Sequence, residues 1–138
     1  MLKIYGRANS INVRKVLWIA DEVGETYTRE DWGRGYRPVD DPVFVTINPM
    51  AGVPVIDDDG FILRESNVIT RYIADKHQRT DLYSDDPKTR YTIDAWMDWS
   101  NADLYWGVRP VFIGTVIKAG PLTIRKLSKS ARANGPTA

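Results

Sequence analysis

Gly52 Val53 Pro54 Val55 Ile56, read together with Glu65 Ser66, is the stretch around which the chain is organised. Proline cannot donate to a strand ladder, so a β-branched run led by Pro54 reads as a strand whose first residues keep backbone groups free. Val53 is then a backbone docking point. Asp57 Asp58 Asp59 Gly60 is tight-turn chemistry, and Phe61 Ile62 Leu63 is the returning strand of a β-hairpin. Glu65 and Ser66 follow at the mouth of a helix over 65–77, where free N–H groups and the positive end of the helix dipole favour a carboxylate. A strand start and a helix N-terminus therefore face one small, polar, peptide-like ligand.

Upstream, Leu2 to Tyr5 reads as a buried strand closed by Gly6, and Gly6 to Ser10 as a loop ending in a helix N-cap. Val13, Val16, Leu17, Ala20 and Val23 fall at helical spacing, and Gly24 supplies the stop. Thr26 to Asp31 reads as a second strand, which makes a βαβ unit with a parallel pair. Trp32 to Asp41 is an irregular loop. Pro42 to Ile47 is divided between a helix capped by Asp41 and the extension its β-branched residues prefer.

Downstream, residues 78–86 are polar and turn-rich and read as a linker. Asp86 Pro87 opens another helix, with Ile93, Trp96, Met97 and Leu104 on one stripe and Trp99, Ala102 and Trp106 on the next. So wide a stripe predicts several packing partners. A further helix is expected near Pro110, within Val108 to Ile117, ending at Gly120 Pro121. Beyond it Arg125, Lys126, Lys129 and Arg132 carry no balancing acid, so the organisation expected is domain 1–77, linker 78–86 and the start of a helical domain over 87–138 with a basic tail.

The chain has 138 residues, 43% hydrophobic and 27% charged, which places it with globular proteins that bury a real core. A net charge of +1 points to neither nucleic acid nor an anionic surface. There is no cysteine, which removes thiolate catalysis, disulfides and cysteine metal sites. No stretch near Met1 has the length of a signal or membrane helix, so a cytoplasmic protein is expected. His77 is the single histidine, expected at the surface near a helix end, and no Ser-His-Asp or metal set can be built on it. Ser10, in the first turn of a helix, can donate to an anion and lower the pKa of a bound thiol, or simply cap the helix. Asn12 is a second donor or a locally bonded first-turn residue.

These motifs resemble the glutathione transferase family over residues 1 to about 117. Lys3 Ile4 Tyr5 Gly6 with Ser10 Ile11 Asn12 Val13 Arg14 Lys15 Val16 Leu17 Trp18 is similar to the first strand, catalytic loop and first helix of serine-type, theta-like bacterial members. Asn48 Pro49 to Ile56 is similar to the segment whose cis-proline presents backbone to glutathione, and Glu65 Ser66 Asn67 with Ile69, Tyr72 Ile73 Ala74 to the motif gripping its γ-glutamyl carboxylate. The resemblance implies an α/β thioredoxin-like N-terminal domain (βαβ-α-ββα, mixed four-stranded sheet) followed by an all-α C-terminal domain, here incomplete. It implies a detoxifying transferase that conjugates glutathione to a small electrophile, working as a homodimer without nucleic acid, membrane, metal or resident cofactor, glutathione being the cosubstrate. Ser10 and Asn12 take the catalytic positions, and Val53, Pro54, Glu65 and Ser66 the glutathione-binding ones. A glutathione-dependent disulfide reductase and a non-catalytic glutathione-binding module are the alternatives. Tyr5 is expected in the core, and Ala51 stands where the family often has glycine, which matters if that position needs positive φ.

Overall fold

Leu2, Ile4, Val55 and Ile56 are fully buried and Tyr5 nearly so, which puts the two strands that carry them in the middle of a sheet covered on both faces. The computed structural model of the chain describes residues 1–115. It divides into two compact units, Met1–Arg90 and a second that begins at Tyr91. In the first the order is β1 (Leu2–Tyr5), α1 (Ile11–Val23), β2 (Tyr27–Glu30), α2 (Pro42–Ile47), β3 (Val55–Asp58), β4 (Phe61–Arg64) and α3 (Ser66–Lys76). The strands lie in the order β2-β1-β3-β4, with β1 parallel to β2 and antiparallel to β3, and β3 antiparallel to β4. This is the thioredoxin-like α/β domain with a mixed four-stranded sheet, and helical structure follows it.

Local chemistry explains the helix limits. Gly24 closes α1 in the left-handed conformation that glycine adopts without a steric penalty. Asp41 accepts from the Val43 N–H at 2.8 Å and Pro42 takes the first helical position, so capping outweighs the β-branched residues and 42–47 is helical. Ser10 stands at the N-cap position of α1 with extended backbone, yet its hydroxyl makes no capping bond.

Strand alternation assigns the layers. Asp58 lies on the same face of β3 as Ile56, and it bonds Tyr72 and Lys76 of α3, so that face is the one α3 covers, with α1 packed beside α3. The opposite face carries Tyr5 and Val55 against Trp32 and Phe44, whose ring centroids are 4.8 Å apart. Val39, Ile47 and Val53 pack on this second cluster. Burying each large side chain fully contributes about 1.5–3 kcal/mol relative to leaving it in water.

One end of the sheet is tied by charge. The Tyr72 hydroxyl donates to Asp58 at 2.7 Å, and the Lys76 ammonium lies 2.8 Å from Asp58 and 3.0 Å from Glu25. His77, expected at the surface near the end of its helix, does cap α3 but is only partly exposed, because its Nε2 lies 2.8 Å from Glu25 just beyond α1.

The second helical stretch departs from expectation in two ways. α4 (Pro87–Trp99) passes through a π-helical turn at Ser100–Leu104 into α5 (Tyr105–Thr115), so Pro110 lies inside a helix rather than at its start. Proline there removes one helical donor, and the helix continues without it. The tryptophan stripe of α4 is not buried: Trp96 and Trp99 make an edge-on pair at 5.6 Å, and Trp96 is 64% exposed. The expected helix end at Gly120 Pro121 and the basic residues 125–132 lie outside the described residues.

The charged end makes stability depend on pH. The Lys76 hydrogen bond, then that of Tyr72, holds the Asp58 carboxyl below its ordinary range. Burial pushes Glu25 up, but hydrogen bonds from His77 and Lys76 outweigh it and the net shift is downward. A carboxylate depressed in the folded state stabilises above its unfolded pKa, and that contribution is lost as pH falls through the folded value. Urea midpoints are therefore expected to be level above about pH 5 and to fall below about pH 4. Asp58→Asn should lower the midpoint at neutral pH and blunt the acid decline.

Candidate functional site

Register decides which residues meet at the other end of the sheet. Tyr5 pairs with Val55, and Val55 pairs with Arg64. The residues just after β1, just before β3 and just after β4 are therefore neighbours: Gly6, Pro54 and Glu65. Ser10, Val53 and Ser66 are each within a few residues of these points, so the stretches singled out from sequence converge here.

The loop from β1 to α1 is shaped by Gly6. Its φ is +148°, and a Cβ there would stand 2.6 Å from Val13 Cγ2 and 3.2 Å from Val53 Cβ, so a side chain would push α1 away from Val53. The loop is then pinned by its backbone, Gly6 N–H to Glu30 at 2.8 Å, Arg7 N–H to Trp32 at 3.2 Å and Ser10 N–H to Arg7 at 3.1 Å. These bonds set Ser10 at the mouth of α1, 9% exposed, with its hydroxyl free of the helix cap. Asn12 is half-buried in the same first turn.

The Val53–Pro54 peptide is cis. The strand begins only at Val55, so Val53 and Pro54 precede the ladder instead of forming its first rungs, and the peptide groups of Val53 lie outside it. Asn48, which the sequence analysis quotes in its segment without assigning it a role, arranges this approach. Asn48 is 3% exposed, its Nδ2 donates to the Gly52 carbonyl at 2.8 Å and its Oδ1 accepts from the Met50 N–H at 3.1 Å. Its carbonyl also accepts from Ala51 at 2.9 Å, and Ala51 is held at φ 50°, the left-handed region that favours glycine. An asparagine ahead of Pro49 was the available signal, since that side chain readily staples its own turn.

Glu65 holds the N-cap of α3 with φ 71° and ψ 111°, a conformation an L residue seldom adopts. Such strain costs about 1–3 kcal/mol and persists only where the surroundings impose it. Here they do so through the Arg64 pairing on one side and the Ile69 N–H to Glu65 carbonyl bond, 2.9 Å, on the other. The Glu65 side chain is exposed and Ser66 beside it is buried, 5% exposed. Lys15 of α1 donates to Asn67 Oδ1 at 3.0 Å, and burial pushes its ammonium pKa down. Two helix N-termini, α1 and α3, thus direct their positive dipole ends at this end of the sheet. His77 and the Asp57–Asp59 run sit at the opposite end, where Asp57 accepts from the Gly60 N–H at 2.7 Å across the turn.

The sequence profile of the glutathione S-transferase N-terminal domain matches residues 1–75. The chain belongs to the glutathione S-transferase family. Glutathione S-transferase GstB of Escherichia coli (strain K12) is 37% identical over 118 residues, covering 84% of this chain and 57% of that protein. The theta class glutathione S-transferase of the citrus canker pathogen Xanthomonas axonopodis pv. citri, solved with glutathione bound, superimposes with a TM-score of 0.80 at 39% identity, over 83% of this chain and 55% of that one. A delta-class glutathione transferase of Nilaparvata lugens gives 0.77 at 28% identity, over 87% and 57%. The chain thus spans little more than half the length of these glutathione S-transferases.

Two substitutions test how the approach to Pro54 is held. Asn48→Ala leaves the Gly52 carbonyl and the Met50 N–H without their partner and should lower unfolding free energy by about 1–3 kcal/mol. Ala51→Gly relieves a left-handed alanine worth about 1–2 kcal/mol against an unfolded-state entropy cost of about 0.4–1, so stability should rise slightly. Urea titration monitored by tryptophan fluorescence measures both.

Proposed function

We propose that the chain binds glutathione across the end of the sheet and, as part of a transferase, conjugates it to small electrophiles. The observation that carries this reading is the convergence, through the Tyr5–Val55–Arg64 register, of a serine hydroxyl free of its helix cap, a cis Val53–Pro54 peptide outside the ladder and the first turn of α3. Glutathione is a tripeptide with an α-amino acid at one end. The Ser66 N–H and hydroxyl at the mouth of α3 take its γ-glutamyl carboxylate, and Glu65, exposed beside them, takes the ammonium. Val53 pairs with the cysteinyl backbone, and Pro54 sets the direction in which that backbone is offered.

This docking leaves the thiol toward α1. There the Ser10 hydroxyl donates to sulfur, with Asn12 as a second donor and the α1 dipole favouring negative charge. Ionisation sends the thiol proton to water. The thiolate then forms a C–S bond to the electrophilic carbon, and the leaving group departs with its electron pair. The glutathione-binding part corresponds to residues 1–77. Homodimer formation belongs to the same reading, supported by the exposed Phe61 and Ile62 on edge strand β4, as does a cytoplasmic location. No helix among the described residues is long and apolar enough to cross a membrane.

A hydrogen bond to a charged group contributes about 1.5–3 kcal/mol, which corresponds to one or two pKa units. Ser10→Ala should therefore raise the pKa of the bound thiol by about 1–2 units and lower kcat/KM at neutral pH roughly ten- to hundredfold. The glutathione Kd at low pH should barely change. Thiolate absorbance against pH and conjugation rates measure this, and an unaltered thiol pKa would remove Ser10 from the chemistry.

A further inference from the structure

Lys15 stands in the second turn of α1, half-buried, and its Nζ donates across to the side-chain oxygen of Asn67 in the first turn of α3 at 3.0 Å. Its ammonium has no carboxylate partner among the described residues, and burial holds its pKa down. An ammonium that leaves water for a neutral amide is at a disadvantage, and it loses rotamer freedom as well. It also lies beside a helix N-terminus, the end of the dipole where positive charge is unfavourable. The bond therefore reports a fixed geometry of two helices rather than an opportunistic surface contact.

The first turn of α3 has need of such a tie. Its N-cap Glu65, at φ 71°, makes no side-chain capping bond, so the turn is not anchored from the cap side. Asn67 is 4% exposed, and its carbonyl accepts from the Thr70 hydroxyl at 2.9 Å, a bond within α3 that fixes nothing relative to α1. Apolar packing holds α1 and α3 side by side, but hydrophobic contact is non-directional and leaves them free to slide. The Lys15 bond is directional. It joins the helix whose N-cap is Ser10 to the turn that begins with Ser66, and so bears on the separation of the two serines. We propose that Lys15 is a positioning residue for glutathione, which acts through Asn67 to fix the first turn of α3 against α1. The inference rests on the reading that this site takes glutathione. The effect falls on the γ-glutamyl end, because the bond is made to the turn after Glu65 and Ser66, whereas the thiol lies toward Ser10. Without Asn67 the ammonium returns to water, so the two side chains work as one unit.

Isothermal titration with glutathione and with S-methylglutathione, which has no free thiol, reads the effect in wild type, Lys15→Met, Lys15→Arg, Asn67→Ala and the combination of Lys15→Met with Asn67→Ala. Urea unfolding of each sample establishes that it is folded. Lys15→Met should weaken both ligands about tenfold, and Lys15→Arg, which keeps a charged donor, less than about threefold. Asn67→Ala should weaken them at least as much as Lys15→Met, and adding Lys15→Met to it should cost less than about a further twofold. In conjugation the loss should appear in KM for glutathione, with kcat and the pKa of the bound thiol at their wild-type values. Lys88→Gln, an equal change of charge at an exposed position of α4, should leave both affinities unaltered. A folded Lys15→Met of wild-type affinity, or losses that simply add in the combination, overturns the proposal. Should Lys15→Met fail to fold, Asn67→Ala decides, and wild-type affinity there overturns the proposal equally. Failure of the wild type to bind either ligand overturns the functional reading, and the role of Lys15 with it.

Discussion

Pairing register is the constraint on which the site depends. Tyr5 opposite Val55 opposite Arg64 is a backbone statement, fixed because a slip of one residue would turn Tyr5 and Val55 away from Trp32 and Phe44 and present Asp57 or Asp58 to the wrong layer. The buried faces therefore choose the register, and the register brings Gly6, Pro54 and Glu65 side by side. Their convergence is a by-product of how the core is satisfied elsewhere.

The two ends of the same sheet are built on different principles. At one, Asp58, Tyr72, Lys76, Glu25 and His77 satisfy one another and lock the far ends of α1 and α3 to β3. At the other, a left-handed Ala51, a strained Glu65 and a serine free of its capping bond are held in place by backbone bonds and the Asn48 staple. Interaction energy is concentrated at the first of these ends. Strain and free donors collect at the second, and the closed end offsets their cost.

Much of this was legible because the signals are local. Gly24 as a stop, Asp41 Pro42 as a start, the turn at Asp59 Gly60 and the apolar spacing of α1 and α3 each follow from the chemistry of a few adjacent residues. Pro54 and Glu65 Ser66 could be brought to one end of the sheet for the same reason, since they flank a single hairpin. What was illegible depends on contacts distant in sequence. That Gly6 must lack a side chain follows from Val13 and Val53, and His77 found Glu25 rather than water. Pro110 misled because proline disfavours a helix interior without forbidding it. The exposed tryptophans of α4 share that difficulty, because helical spacing reports which residues lie together and not whether anything covers them.

Amide chemical shifts of the labelled chain, followed as glutathione is added, test the central claim most directly. Saturable shifts centred on Ser10, Val53, Ser66 and Asn67, with the amides of Asp58, Lys76 and Gln78 unmoved, are the expected result. Shifts centred on the Asp58 and Lys76 end, or no saturable shift at all, would contradict a site built by strand register at the opposite end.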